Sequence, residues 1–413
     1  MVEALIQLTV MQRKLAVKHF VANHSISLLV LCLLVTACQS GNANNTEAQQ
    51  SLFAPAPGSP ISVPGEPGNV ITGDVNNDKK LDLVVSCGRS RSITVLLGKG
   101  DGQFAAAGTA ISVPDPPHEI AFGDVNLDSK LDLAVGTHDS YGVLLLVGDG
   151  NGGFTKAPGS PIVMRTGDHP HTHGLALADM NRDNKPDLIT VNSTDNDVSL
   201  AFGDGRGGFT RAPRSPFPVG PSPYPFAVGD VNGDGQLDIV ATATATGPLR
   251  SQQLPMSRAL TLLSNDGGGG FRASQLPLRT GEPWCAVIND INGDRKPDIV
   301  VTHHDMSLLT VLLGDGRGGF VEVTASPFDV GGKTFRAVVS DVNRDGKMDV
   351  LAAGGDSVRV ILGDGSGGFT KGPTIPSGPG AWRVDLGDVN RDGKLDVITS
   401  NLENDTVSVL LAR

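Results

Sequence analysis

Short apolar runs alternate with polar, turn-rich stretches along the chain, and the same pair of runs returns again and again. Leu81-Asp-Leu-Val-Val-Ser86 is followed by Ser92-Ile-Thr-Val-Leu-Leu-Gly98, and Leu395-Asp-Val-Ile-Thr-Ser400 repeats the first of them near the end of the chain. Runs of this length, rich in β-branched residues and bounded by Gly, Asn and Asp, predict strands. No stretch predicts a long helix.

Each pair of runs is preceded by one nonapeptide, DxNxDxxxD, and it occurs seven times. Its oxygen-bearing positions 1, 3, 5 and 9 are Asp74, Asn76, Asp78 and Asp82; Asp124, Asn126, Asp128 and Asp132; Asp179, Asn181, Asp183 and Asp187; Asp230, Asn232, Asp234 and Asp238; Asp290, Asn292, Asp294 and Asp298; Asp341, Asn343, Asp345 and Asp349; and Asp388, Asn390, Asp392 and Asp396. Successive copies start 50, 55, 51, 60, 51 and 47 residues apart, the period of a propeller blade or a solenoid coil. A Gly-rich turn ending in Phe follows in six copies, at Phe104, Phe154, Phe209, Phe271, Phe320 and Phe369. The distance from the ninth loop position to that Phe is 22, 22, 22, 33, 22 and 20 residues, so the fourth repeat carries an insertion.

The seventh repeat ends at Arg413, before its Phe. The missing piece stands near the other end: Phe53-Ala-Pro-Ala-Pro-Gly-Ser-Pro-Ile61 matches Phe154-Thr-Lys-Ala-Pro-Gly-Ser-Pro-Ile162. An N-terminal strand that completes the last repeat closes a ring and has no use in an open solenoid. Closure also protects sheet edges. The expectation is an all-β, seven-bladed β-propeller over residues 51–413, with an N-terminal strand completing the last blade.

Composition agrees with this. Of 413 residues, 53 are Gly and 27 Pro, and 4% are aromatic, which suits many turns and small sheets. A formal net charge of −11 argues against binding nucleic acid or an anionic membrane surface. Residues 1–37 form a separate targeting segment. Arg13, Lys14 and Lys18 precede an apolar stretch, Ile26–Ala37, too short to span a bilayer and shaped like the core of a secretory signal. It runs into Val35-Thr36-Ala37-Cys38, which resembles the lipobox of bacterial lipoproteins and so implies acylation at Cys38. Residues 38–50 are polar and unpatterned, as expected of a flexible tether. These features predict an exported protein held in the cell envelope, at an outer membrane or cell surface, by its lipid anchor alone. Met11 is an alternative start to Met1. Cys87 and Cys285 fall on distant blades, and no disulfide is expected.

The DxNxDxxxD loops with GDGxGGF turns resemble the FG-GAP/VCBS repeats of integrin α-subunit-like propellers over residues 51–413. The resemblance implies four-stranded blades and acidic loops that bind calcium. The loop chemistry agrees, because calcium takes six to eight oxygen ligands and each loop offers side-chain oxygens at positions 1, 3, 5 and 9 and a carbonyl at position 7. Asp and Asn also serve as ordinary turn formers. However, three carboxylates within nine residues repel one another unless a cation lies among them, and the loops hold 21 of the 44 acidic residues. Position 6, where the loop turns sharply, is Gly235, Gly346 and Gly393 in three copies, but Lys79, Ser129, Asn184 and Arg295 in the others.

If the acidic loops and Gly-rich turns share one face, the variable connections share the other, including residues 165–174 and the insertion near 247–258. Variable loops on a rigid ring are where binding sites are built. Six residues before each acidic loop stand Gly68, His118, His173, Tyr224, Trp284, Phe335 and Trp382, a register that holds both tryptophans. Such a rim suits sugar rings or peptide side chains, or it simply plugs the channel. Arg336 and Arg383 come one residue later and are candidates to pair with a ligand carboxylate. His118, His138, His169, His171, His173, His303 and His304 also map to this face. Alternating histidines in an extended segment can face one way, as a zinc or copper site needs, although a solvated polar loop is the simpler reading.

The function expected is a calcium-stabilised, monomeric binding or adhesion propeller that recognises a glycan or protein on the variable face. Its rival is a carbohydrate-active enzyme, such as a polysaccharide lyase, that uses the histidines and arginines of that face. No GxSxG, HExxH or GK[ST] motif is present.

Overall fold

The computed structural model describes residues 52–168, 170–244, 258–303 and 306–413. The signal segment, Cys38, the tether, His169, His304 and nearly all of the insertion near 247–258 lie outside the described residues. Seven antiparallel sheets of four main strands each succeed one another along the chain, and the described residues include no helix. Every acidic loop joins the first strand of a blade to the second, as Pro67–Gly73 is joined to Asp82–Cys87. Each Gly-rich turn leads from the third strand to the fourth, which opens on the expected Phe, as in Phe154–Lys156.

The ring closes as the repeat count requires. Phe53–Pro55 pairs antiparallel with Thr406–Ala412, in the register Phe53 with Ala412 and Pro55 with Leu410. Arg413 N–H also donates to the Leu52 carbonyl at 2.9 Å. A second latch crosses the seam: the backbone N–H and hydroxyl of Thr72, in the first blade, donate to Asp385 of the seventh at 2.8 and 3.0 Å. Five sheets carry an additional two-residue strand on their third strand, such as Ile111–Ser112. The sequence reading missed these short strands because two residues show no period.

The core lies between blades. Along Asp82–Cys87 every residue is buried, and alternate side chains serve different neighbours. Val85 packs with Ile398 and Val409 of the seventh blade, whereas Val84 packs with Leu133 and Val135 of the second. A strand covered on both faces needs a continuous apolar run, which accounts for LVVS and its counterparts. Each such Val or Leu contributes roughly 1.5–3 kcal/mol by burial, so a ring of small sheets holds together without one large core. Cys87 and Cys285 are buried and free.

Candidate functional site

On one face, each acidic loop is organised by its own side chains. Asp74 accepts from the N–H of Asp78 and Lys79 at 3.1 and 2.8 Å, Asn76 from Asp78 at 3.0 Å, and Asp78 from Lys80 at 2.9 Å. The pattern recurs in the other six loops, so the oxygens of positions 1, 3 and 5 are gathered on one turn. The ninth aspartate has a further role. Asp82 is fully buried; its two oxygens accept from Val75 N–H at 2.9 Å and Gly98 N–H at 2.8 Å, tying the loop to the start of the second strand and the end of the third. Asp132, Asp187, Asp238, Asp298, Asp349 and Asp396 do the same in their blades. Gly98 is required where it stands, because a Cβ there would lie 2.1 Å from the Leu81 carbonyl oxygen.

These ninth carboxylates carry an electrostatic load. Burial, and after it the charges of Asp183 and Asp179, push Asp187 up to about 6 in spite of two backbone donors. The other six are raised for the same reasons. The donor set therefore fits a hard divalent cation: all its side-chain donors are oxygens, most are anionic, and the first and fifth aspartates add to the burial that raises the ninth. The loops are also tied across blades, since Gly102, Gly152 and Gly207 of three Gly-rich turns donate to Val389, Val75 and Val125 in the acidic loop of the preceding blade at 3.0–3.2 Å.

Position 6 is left-handed in all seven loops, and position 4 is too, a second requirement that the sequence reading did not see. Lys79 and Arg295 hold φ of 65°, as does Ser129, while Leu127 at position 4 of the second loop holds 58°. Outside glycine this conformation costs about 1–2 kcal/mol per residue. Arg295→Gly is accordingly expected to stabilise the protein by about 1 kcal/mol, read as a raised melting temperature. A lowered one would show that the Arg295 side chain contributes more than its backbone strain removes.

On the opposite face the aromatic register closes in on itself. His173 stacks on Tyr224 with centroids 3.9 Å apart, Tyr224 meets Trp284 at 4.2 Å, and Phe335 meets Trp382 at 4.7 Å. Trp284 is buried, and Gly68 leaves the one gap in the register. The rim is thus largely a plug over the channel, whose interior, about 340 Å³, is lined by residues including Val287, Val338 and Asp385.

Arg336 and Arg383 are not free for a ligand. Both pair with Glu119, Arg336 directly at Oε1 and Arg383 at 3.1 Å from Oε2, while Asn69 Nδ2 donates to Oε2 at 3.2 Å. Burial would raise the Glu119 carboxyl, but the two guanidiniums outweigh it and hold the group below its ordinary range. The sequence reading passed over Glu119. Its signal was available, since Asn69, Glu119, Arg336 and Arg383 all stand five residues before an acidic loop, four polar residues in one register of the inner strands.

Nor are the described histidines of this face spread over a solvated loop. His303 is fully buried and bonds Thr310 Oγ1 at 2.7 Å through Nε2. His173 is 3% exposed, and His118, His138, His171 and His173 come together where the second and third blades meet. Beside them a cavity of about 580 Å³ opens on the face, lined by Glu66, Arg89, Arg91, His118, His138 and Trp382 among others.

Closed ring, acidic loops and Gly-rich turns together define a repeat propeller. The sequence profile of FG-GAP-like repeats matches residues 74–135, 124–190, 179–241, 290–352 and 341–399, and the chain belongs to that family. No curated protein sequence matches significantly. Among solved structures, one of BBS1N in complex with ARL6DN is similar, with a TM-score of 0.58, 13% identity, and coverage of 88% of this chain and 98% of that one. An Agrocybe aegerita lectin that recognises non-reducing terminal N-acetylglucosamine has a TM-score of 0.51 at 19% identity, covering 82% and 86%. Virginiamycin B lyase from Staphylococcus aureus has a TM-score of 0.51 at 10% identity, covering 84% and 99%. At these identities the likeness shows the fold alone.

Proposed function

We propose that the protein is a calcium-stabilised binding propeller, exported and tethered to the cell envelope through Cys38, that recognises a glycan on the face opposite its acidic loops. The cavity beside the aromatic plug carries this reading. It places the partly exposed ring of Trp382 near Arg89, Arg91 and Glu66 in one open recess, which combines a flat apolar surface with charged hydrogen-bonding groups, as sugar recognition requires. Propellers of similar fold include a lectin and a partner-binding domain, so both a glycan and a protein ligand are compatible with the architecture. The lyase reading is weakened, because its two cations are bound to Glu119.

In the calcium part of the proposal, Asp74, Asn76, Asp78, the Lys80 carbonyl and Asp82 would hold the ion in the first loop, with the same positions in the others. The ion would supply the positive charge that each loop lacks.

A glycan array probed with the purified protein tests the binding reading. Trp382→Ala is expected to weaken binding to any captured glycan at least tenfold when measured below the variant's own melting transition, which the loss of the contact with Phe335 lowers. Binding unaltered by both Trp382→Ala and Arg91→Ala would place the site elsewhere, and capture of none of the glycans would turn the reading toward a protein ligand.

A further inference from the structure

The geometry points to a transition-metal site of three imidazoles, His138, His171 and His173, which takes one zinc ion or a similar nitrogen-preferring divalent ion apart from the acidic loops. Among the described residues these three side chains bring their ligand atoms within 4.8 Å of one another. His171 immediately precedes the inner strand of the third blade and His173 is its second residue, where the register shifts; their ring centroids lie 4.3 Å apart. Their Nε2 atoms already approach to 2.7 Å. His138 comes from the second blade and stands over both, with ring centroids 3.9 and 4.8 Å away.

The backbone holds this arrangement. Thr172, between the two histidines, donates its N–H to the His138 carbonyl and its hydroxyl to the Ser140 carbonyl, both at 3.1 Å. Ser193 N–H donates to the His171 carbonyl at 2.7 Å. Three ligands on two blades are thereby fixed before any ion arrives.

The chemistry of the rings agrees. His138 Nδ1 lies 2.8 Å from Asp139 Oδ1; a proton held there leaves Nε2 as the ligand atom, the carboxylate–histidine pairing common around zinc. The nearby Arg336 and Arg383 are paired with Glu119, which limits their repulsion of an incoming cation.

Zinc–nitrogen bonds of about 2.0–2.1 Å set tetrahedral ligands about 3.4 Å apart, so the His171 and His173 rings must part by roughly 0.7 Å. His118 is farther away, its centroid 5.5 Å from that of His173, and it lines the open cavity with His138. One of the three ligands, His138, thus borders that cavity, from which an ion would enter.

The test uses the full folded protein, stripped of metal and then saturated with calcium so that the acidic loops do not report. Cobalt chloride is titrated first, because tetrahedral cobalt with nitrogen ligands absorbs visibly, and zinc chloride is then used to displace it. One equivalent per chain is expected, with micromolar or tighter affinity. The double variant His138→Ala/His171→Ala is expected to lose at least 100-fold in affinity while keeping the wild-type melting temperature in metal-free calcium buffer. Absence of the cobalt spectrum from the wild-type protein would overturn the proposal without any variant. Affinity unchanged in the double variant would also overturn it.

Discussion

In excess EGTA the protein is expected to melt at least about 10 °C lower than in millimolar calcium. A single site at 100 times its dissociation constant contributes about 2.7 kcal/mol, and in a protein of this size each kcal/mol moves the transition by a few degrees. Seven loops share the same donor set, and Gly102, Gly152 and Gly207 tie three of them to a neighbouring blade. Loosening the loops therefore loosens the ring. Restoring calcium should return the transition to its starting point. Magnesium, which demands a smaller octahedral shell, should restore less of it. Alanine at Asp341 alone should lower the melting temperature by a fraction of the full EGTA effect. A melting curve indifferent to EGTA would mean that the internal hydrogen bonds of the loops suffice and that the calcium proposal is wrong.

Glu119→Gln is expected to cost roughly 3–5 kcal/mol, the usual penalty for leaving a buried charge without its partner. Glu119 is 4% exposed and Arg336 8% exposed, and the substitution strands Arg336 and Arg383 together beneath the aromatic plug. Adding Arg336→Met should recover part of the loss, because one of the two uncompensated cations is then gone. The pH dependence has a definite sign. The Glu119 carboxyl is held below its ordinary value of 4.5, so its contribution is complete above that value and disappears as pH falls through the lowered one. The stability difference between wild type and Glu119→Gln, measured by urea unfolding, should therefore shrink as the pH is taken below 4.5. A difference under about 1 kcal/mol at pH 7 would show that water reaches the three charges and screens them.

Much of the fold was legible because a propeller is a local pattern repeated. The period, the strand pairs and the opening Phe of each outer strand follow from spacing, since six blades pair residues near one another in the chain, and the closure was legible because the segment from Phe53 to Ile61 repeats that from Phe154 to Ile162. The acidic loops were legible for the same reason: all their donors lie within nine residues, and their left-handed sixth position is marked by Gly235, Gly346 and Gly393. The left-handed fourth position escaped notice because Leu127 and Arg182 occupy it in spite of its strain.

The variable face is different in kind. Which side chains meet there depends on how seven inner strands converge on one axis. Glu119 finds Arg336 217 residues away and Arg383 264 residues away; their shared register before the acidic loops is visible in the sequence, but which blades bring these side chains together is not. His138 joins His171 and His173 only because two blades are packed side by side. Repetition along the chain sufficed to determine the ring, its seam and its acidic loops. Closure of that ring decided the rest, because convergence on the axis turned a rim into a plug, two apparent ligand-binding arginines into a buried ion-pair network, and scattered histidines into one cluster.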